Sequence, residues 1–209
     1  MNISRLENWL PVIAALLAIA PPSFAGVVAF SDEPTLQATL SDWQVESFED
    51  EPAGFSIVTL TVGTLRSPWT VTSTARTNDV IDTTDGRGAI AHDGSMFWML
   101  KGGLTRIDFG GELVSAFGFY YSDLEGADIL ITLHGDTDQQ YLLDDRNPNQ
   151  TSFIGLLSDE QFGAVSLEWV RGQGDSVGFD RVMVGRSVPE PGTLVLAMGG
   201  LILVNRRKS

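Results

Sequence analysis

The sequence has no cysteine in its 209 residues. That excludes disulfide staples, thiolate nucleophiles and cysteine-bound metals, so a large apolar core or bound ions have to supply the stability. Histidine occurs only as His92 and His134. Neither has a partner at the i, i+4 spacing of a helical zinc site. Gly174-Asp175-Ser176-Val177-Gly178 matches G-x-S-x-G. However, both histidines precede Ser176, and the segment Phe179-Asp180-Arg181-Val182-Met183-Val184 after it reads as a strand. A nucleophile elbow needs a helix there and a later histidine. Positive charge is scarce, with 13 basic against 27 acidic side chains and a net charge of −14. Such a surface repels nucleic acid and anionic lipid and suits divalent cations. Long amphipathic helices are also missing between residues 42 and 193.

What the chain does have is strand pattern. Short alternating or β-branched runs recur near 44–48, 56–65, 69–76, 96–101, 104–109, 112–121, 127–134, 139–143, 152–157, 162–170 and 177–185. Glycine-bearing turns separate them, such as Asp85-Gly86, Asp93-Gly94, Gly110-Gly111 and Gly135-Asp136. Gly102-Gly103 leaves two residues between runs and predicts a hairpin over 96–109. Many short strands in one chain predict an all-β fold, a single jelly-roll-like β-sandwich over 44–187. Before it, Ser31-Asp32-Glu33-Pro34 signals a helix start, with Leu36 and Leu40 on one face, so 26–43 reads as a short helical segment.

The two ends carry address signals. Residues 1–25 read as a secretory signal peptide, with an apolar stretch from Trp9 to Ala20 and small residues Ser23 and Ala25 at its end. Cleavage is expected between Ala25 and Gly26, so that the mature chain begins at Gly26. Residues 188–209 combine Pro189-Glu190-Pro191, an apolar run of about twelve residues and a basic end, Arg206-Arg207-Lys208. That run is short against the roughly twenty residues of a comfortable membrane span, while the basic end would serve as a positive-inside anchor. The order of these parts resembles the PEP-CTERM sorting signal of bacterial envelope proteins. The resemblance implies a short C-terminal transmembrane helix and processing near Pro189-Glu190-Pro191 by a membrane exosortase. It further implies export by the general secretory route, passage through the inner membrane, and a destination at the surface or in the matrix of a Gram-negative bacterium.

The segments Leu104–Phe109, Val114–Asp123 and Val177–Val182 are similar to inner strands of carbohydrate-binding-module-like sandwiches. That resemblance implies a structural calcium where first and last strands meet. Glu49 and Asp180 are the carboxylates placed to hold it, since hard oxygen ligands suit that ion. Aromatic rings suit the apolar faces of sugars. Trp69, Trp98, Trp169, Tyr120 and Tyr121 are candidates, with Trp69, Trp98 and Tyr121 singled out. The expected function is that of an exported, non-enzymatic β-sandwich associated with exopolysaccharide or biofilm matrix. The alternatives are a carbohydrate-binding module using exposed aromatics, and a polysaccharide hydrolase or lyase.

Overall fold

The structure is a computed structural model that describes residues 26–50, 59–60, 69–75, 78–82, 89–124, 126–144, 150–172 and 176–188. The signal peptide through Ala25, the Pro189-Glu190-Pro191 motif, the apolar run and Arg206, Arg207 and Lys208 lie outside the described residues. Among the described residues, no helix is long and apolar enough to cross a membrane.

The chain order is β1 (Val27–Phe30), α1 (Glu33–Gln37), β2 (Leu40–Glu46), β3 (Thr59–Leu60), β4 (Trp69–Ser73), β5 (Asn78–Asp82), β6 (Met96–Lys101), β7 (Leu104–Asp108), β8 (Val114–Ser122), β9 (Asp128–Gly135), β10 (Gln139–Leu143), β11 (Thr151–Arg171) and β12 (Ser176–Ser187). All pairings are antiparallel. They form one hydrogen-bonded sheet that folds into two faces through β11. Residues 151–158 of β11 pair with β8 and β1, while residues 162–171 pair with β9 and β7. The first half-sheet therefore runs β1-β11-β8-β12, with β12 flanked on its far side by β2 and by β6-β5. The second runs β10-β9-β11-β7-β4-β3.

Two of the sequence expectations are corrected by this topology. The separate strands expected at 152–157 and 162–170 are one 21-residue strand. Ser158 Oγ donates to the Glu160 carbonyl at 2.6 Å and accepts from the Glu160 amide at 3.0 Å, locally satisfying the backbone at the crossing. The segment read as helical from Gly26 onward is helix only over Glu33–Gln37, and strands β1 and β2 occupy most of the rest. Gly26 itself stands in a bend at φ 130°, directly before β1. That backbone is open to glycine and strained for other residues. The physical reason is pairing, because Val27–Phe30 find a ladder partner in residues 155–158 of β11.

The inner faces of the two half-sheets pack together through aromatic rings. Trp169 of β11 meets Phe179 of β12 edge-on at 6.2 Å, and Phe179 meets Phe119 of β8 at 5.0 Å. Trp69 of β4 meets Phe109 at 5.2 Å in a T-shape. Edge-to-face pairs at these separations add about 0.5–1.5 kcal/mol each beyond area burial.

The outer faces differ. In the second half-sheet, the register places Thr72, Arg106, Ser166, Thr132 and Gln140 in one row across five strands. This gives the polar outer row expected of an antiparallel sheet facing water on one side. The first half-sheet is covered on its outer face by α1 and by the loop 89–95. Leu36 of α1 is fully buried beside Ala116, Phe153 and Met183. A Cβ at Gly155 would lie 2.6 Å from Leu36 Cδ2 and 2.8 Å from Phe153 Cε1. The glycine is what lets the helix sit this close to the sheet. Burying Leu36 there contributes about 1.5–3 kcal/mol.

Candidate functional site

The outer face of the first half-sheet is where charged and aromatic side chains gather. Between Asp180 and Met183 the register of β12 against β8 shifts. Arg181 takes the left-handed backbone at φ 47° in this bulge. A non-glycine residue persists there only where its surroundings hold it. Its amide donates to Asp180 Oδ1 at 2.7 Å, and its guanidinium grips Glu33 of α1 at 2.8 and 3.2 Å. The same guanidinium reaches Asp93 of the loop at 3.1 Å. One arginine thus ties the helix and the loop to the bulge. The Glu33 hydrogen bond is the main influence holding its pKa above the usual value.

The loop 89–95 is fastened at three points. Ser122 Oγ accepts from the Ile90 amide at 3.0 Å and donates to the Ile90 carbonyl at 2.9 Å. Asp180 Oδ2 accepts from the His92 and Asp93 amides, both at 2.8 Å. Glu49 Oε1 accepts from the Ser95 and Met96 amides at 2.9 and 2.7 Å. Gly94 makes the last contact possible, because a side chain at its φ of 65° would run into the Glu49 carboxylate. Asp180 is buried at 2% exposure, and that burial raises its carboxyl pKa against the opposing pull of its three amide donors.

These contacts bear on the expected calcium ligands. Glu49 and Asp180 do meet one loop, and β12 does pair with β2 near the start of the sandwich. Yet both oxygens of Asp180 and one of Glu49 already take N–H donors. The amides thus hold both carboxylates to the loop 89–95. Among the described residues, no group of three His, Cys, Asp or Glu side chains gathers to hold a metal.

The stacking candidates are redistributed. Trp69 and Trp98 are fully buried at 0% exposure, and Trp169 at 1%. Tyr121 turns inward onto Phe119, 6.3 Å away, and is 5% exposed. The first three offer no ring face to solvent, because alternation in β4, β6 and β11 points them into the core. Trp69, Trp98 and Tyr121 are therefore not stacking platforms. Tyr120, one residue away and hence on the opposite face, is the half-buried ring. His92 stacks on one side of it, with centroids 3.3 Å apart and planes 7° from parallel. Phe153 of β11 lies 5.1 Å away on a tilt of 57°. Burial, then the neighbouring Glu33 carboxylate, raises the Tyr120 phenol pKa.

Beside Tyr120 opens a hollow of about 360 Å³, lined by Ser31, Asp32, Tyr120, Tyr121, Thr151, Ser152 and Phe153. It lies between the β8–β11 pair and the turn from β1 into α1. Asp32 caps the helix, accepting from the Thr35 amide at 2.9 Å and from the Thr35 hydroxyl. Its side chain is thereby fixed at the rim. The sequence reading missed Phe153 and Trp43. Trp43, on β2, is 46% exposed. Its polar neighbours Asp42 and Gln44 were the available sign of a surface ring.

Of the expected cleavage pair, Ala25 lies outside the described residues and Gly26 is the first residue within them. Gly26 is half-buried, and open space lies where a Cβ would project. It is not among the residues that line the hollow. Its part in the structure is to lead into β1, and cleavage beside it stays with the export reading below.

On the other outer face, His134 Nε2 lies 2.7 Å from Ser166 Oγ, and its Nδ1 lies 3.1 Å from Asp138 Oδ1. This matches the order of a nucleophilic triad. Ser166, however, sits in mid-strand, paired on both sides by β7 and β9. Its neighbouring amides are committed to the ladders and cannot form an oxyanion hole. Ser176 opens strand β12, as its strand-like sequel indicated.

No protein-family model matches the chain, and no curated protein matches it. Among solved structures it is similar to the xylan-binding domain of a family 22 carbohydrate-binding module, at 13% identity and a TM-score of 0.42, over 72% of this chain and 96% of that one. It is similar to the K2 cleaved adhesin domain of Lys-gingipain, at 11% identity and 0.43, over 68% and 99%. A third is a family 61 carbohydrate-binding module in complex with β-1,4-galactotriose, at 16% identity and 0.36, over 68% and 99%. The β-sandwich assignment rests on the strand pairing and the shared aromatic core described above.

Proposed function

We propose that the domain is a non-catalytic carbohydrate-binding β-sandwich and that the hollow beside Tyr120 is its glycan site. The hollow itself carries this reading. Tyr120 and Phe153 line it together with Ser31, Asp32, Thr151 and Ser152. Sugars present an apolar C–H face and a hydroxyl edge, which is the pairing such a wall and rim complement. A glycan array probed with wild-type protein and with Tyr120→Ala tests it. The expected result is binding to at least one glycan class by the wild type and its loss in the variant. Array binding that survives Tyr120→Ala overturns the assignment of the site.

A second reading concerns delivery and is favoured by the order of residues 188–209. In it, the module is an exported matrix-associated protein that begins at Gly26 once its signal peptide is removed. The Pro189-Glu190-Pro191 tail presents it to an exosortase at the inner membrane. It is then released to, or held at, the cell surface near exopolysaccharide. Replacing Pro189, Glu190 and Pro191 by alanines should leave the chain unprocessed in the membrane fraction. Unchanged processing and surface display would refute this reading.

A further inference from the structure

Resting on the glycan-binding reading, we propose that the hollow selects sugars that carry a protonated amine over neutral sugars and over uronic acids. The charge distribution around it is one-sided. Of its seven lining residues, Asp32 alone is charged. The nearby cation, Arg181, is already engaged by Glu33 and Asp93. A uronate carboxylate in the hollow would therefore meet no counter-charge, within a protein of net charge −14.

Asp32 is oriented for the complementary charge. Its Oδ2 receives both Thr35 donors, which fixes the side chain while leaving Oδ1 without a hydrogen bond among the described residues. An ammonium group donates to such a carboxylate and is attracted to aromatic faces within about 6 Å. One face of Tyr120 is taken by His92. Tyr120 and Phe153, whose rings lie 5.1 Å apart, both line the hollow. The carboxylate and the rings thus line one small volume, and Ser31 and Thr151 add hydroxyl side chains to its lining. In an amino sugar the C–H face packs on Tyr120, the ammonium faces Asp32 Oδ1, and the ring hydroxyls meet the Ser31 and Thr151 hydroxyls.

The test is calorimetric titration of the purified full chain at mildly acidic pH. The ligands are β-1,4-linked oligomers of one length, made of glucosamine, N-acetylglucosamine, glucose or a uronic acid. The expected order is glucosamine roughly three- to tenfold tighter than glucose, which is the scale of an exposed ion pair with a cation–π contribution. The uronic oligomer should bind most weakly. Asp32→Asn retains a good helix cap. It should bring glucosamine affinity down to the glucose level without moving the thermal midpoint, and Asp32→Ser provides a second cap-preserving variant. Equal affinity for glucosamine and glucose, both abolished by Tyr120→Ala, overturns the amine preference and leaves the glycan site standing. No Tyr120-dependent binding of any oligomer overturns both.

Discussion

The fastening of the loop 89–95 predicts the effect of Asp180→Ala in some detail. The substitution removes the acceptor of two loop amides, His92 and Asp93, and of the Arg181 amide in the bulge. A hydrogen bond to a charged group is worth about 1.5–3 kcal/mol, and a lost buried partner costs on that order. The loop amides regain water once the loop lifts, and the removed carboxylate no longer has to be desolvated. These offsets bring the expected loss to about 2 kcal/mol, which is roughly 4–8 °C in thermal midpoint for a domain of this size. The sign with pH also follows. Burial raises the Asp180 pKa in the folded state. Its contribution is therefore fully present below the ordinary carboxylate pKa and diminishes as pH rises through the raised folded value. The deficit of the variant should accordingly be larger at pH about 4 than near neutrality. Thermal melts at the two pH values and amide hydrogen exchange at residues 92, 93, 95 and 96 measure this. Unchanged protection of the His92 and Asp93 amides in Asp180→Ala would refute the clamp.

Other consequences are equally direct. A chelator should leave the melting temperature of the purified protein unchanged, since amides hold Glu49 and Asp180 to the loop; a fall on chelation would show a bound calcium there. Arg181→Ala leaves Glu33 buried at 6% exposure without its cation. Equilibrium denaturation should show a loss of about 2–4 kcal/mol, and a neutral result would mean that Glu33 is stabilised otherwise. Trp69→Ala should cost about 3–5 kcal/mol through the cavity beside Phe109, while glycan binding by the fraction that folds stays intact.

Much of the scaffold was legible in the sequence because strands and turns carry local signals. Gly102 and Gly103 marked the turn between β6 and β7, and both take positive φ, at 60° and 78°. The hairpin expected over 96–109 does not form there, because β6 pairs with β5 and β12 while β7 pairs with β4 and β11, so the turn crosses between half-sheets. Glu49 and Asp180 were expected together from the meeting of first and last strands, and both fasten the loop 89–95. Which backbone amides they accept was not legible, because that depends on a loop folding back from elsewhere in the chain. The strand after Gly26 was missed because Val27–Phe30 is short, and its pairing with residues 155–158 of β11 leaves no local mark. Tyr120 stood among the candidate rings, but Tyr121 was singled out instead, for a physical reason. Strand β8 is buried on both faces, against the core inside and under α1 and the loop outside. Its sequence, Val114-Ser115-Ala116-Phe117-Gly118-Phe119-Tyr120-Tyr121, therefore shows no alternation that would separate Tyr120 from Tyr121. The continuity of β11 was hidden by Ser158-Asp159-Glu160-Gln161, a polar stretch that reads as a turn but passes between half-sheets as strand.

The glycan site is tested most directly by backbone-amide NMR of the purified protein titrated with an oligosaccharide selected on the array. Saturable shifts concentrated at Ser31, Asp32, Tyr120, Thr151, Ser152 and Phe153, and absent in Tyr120→Ala, are the predicted result. Shifts confined instead to the opposite outer face, along Thr72, Arg106, Ser166, Thr132 and Gln140, would contradict it.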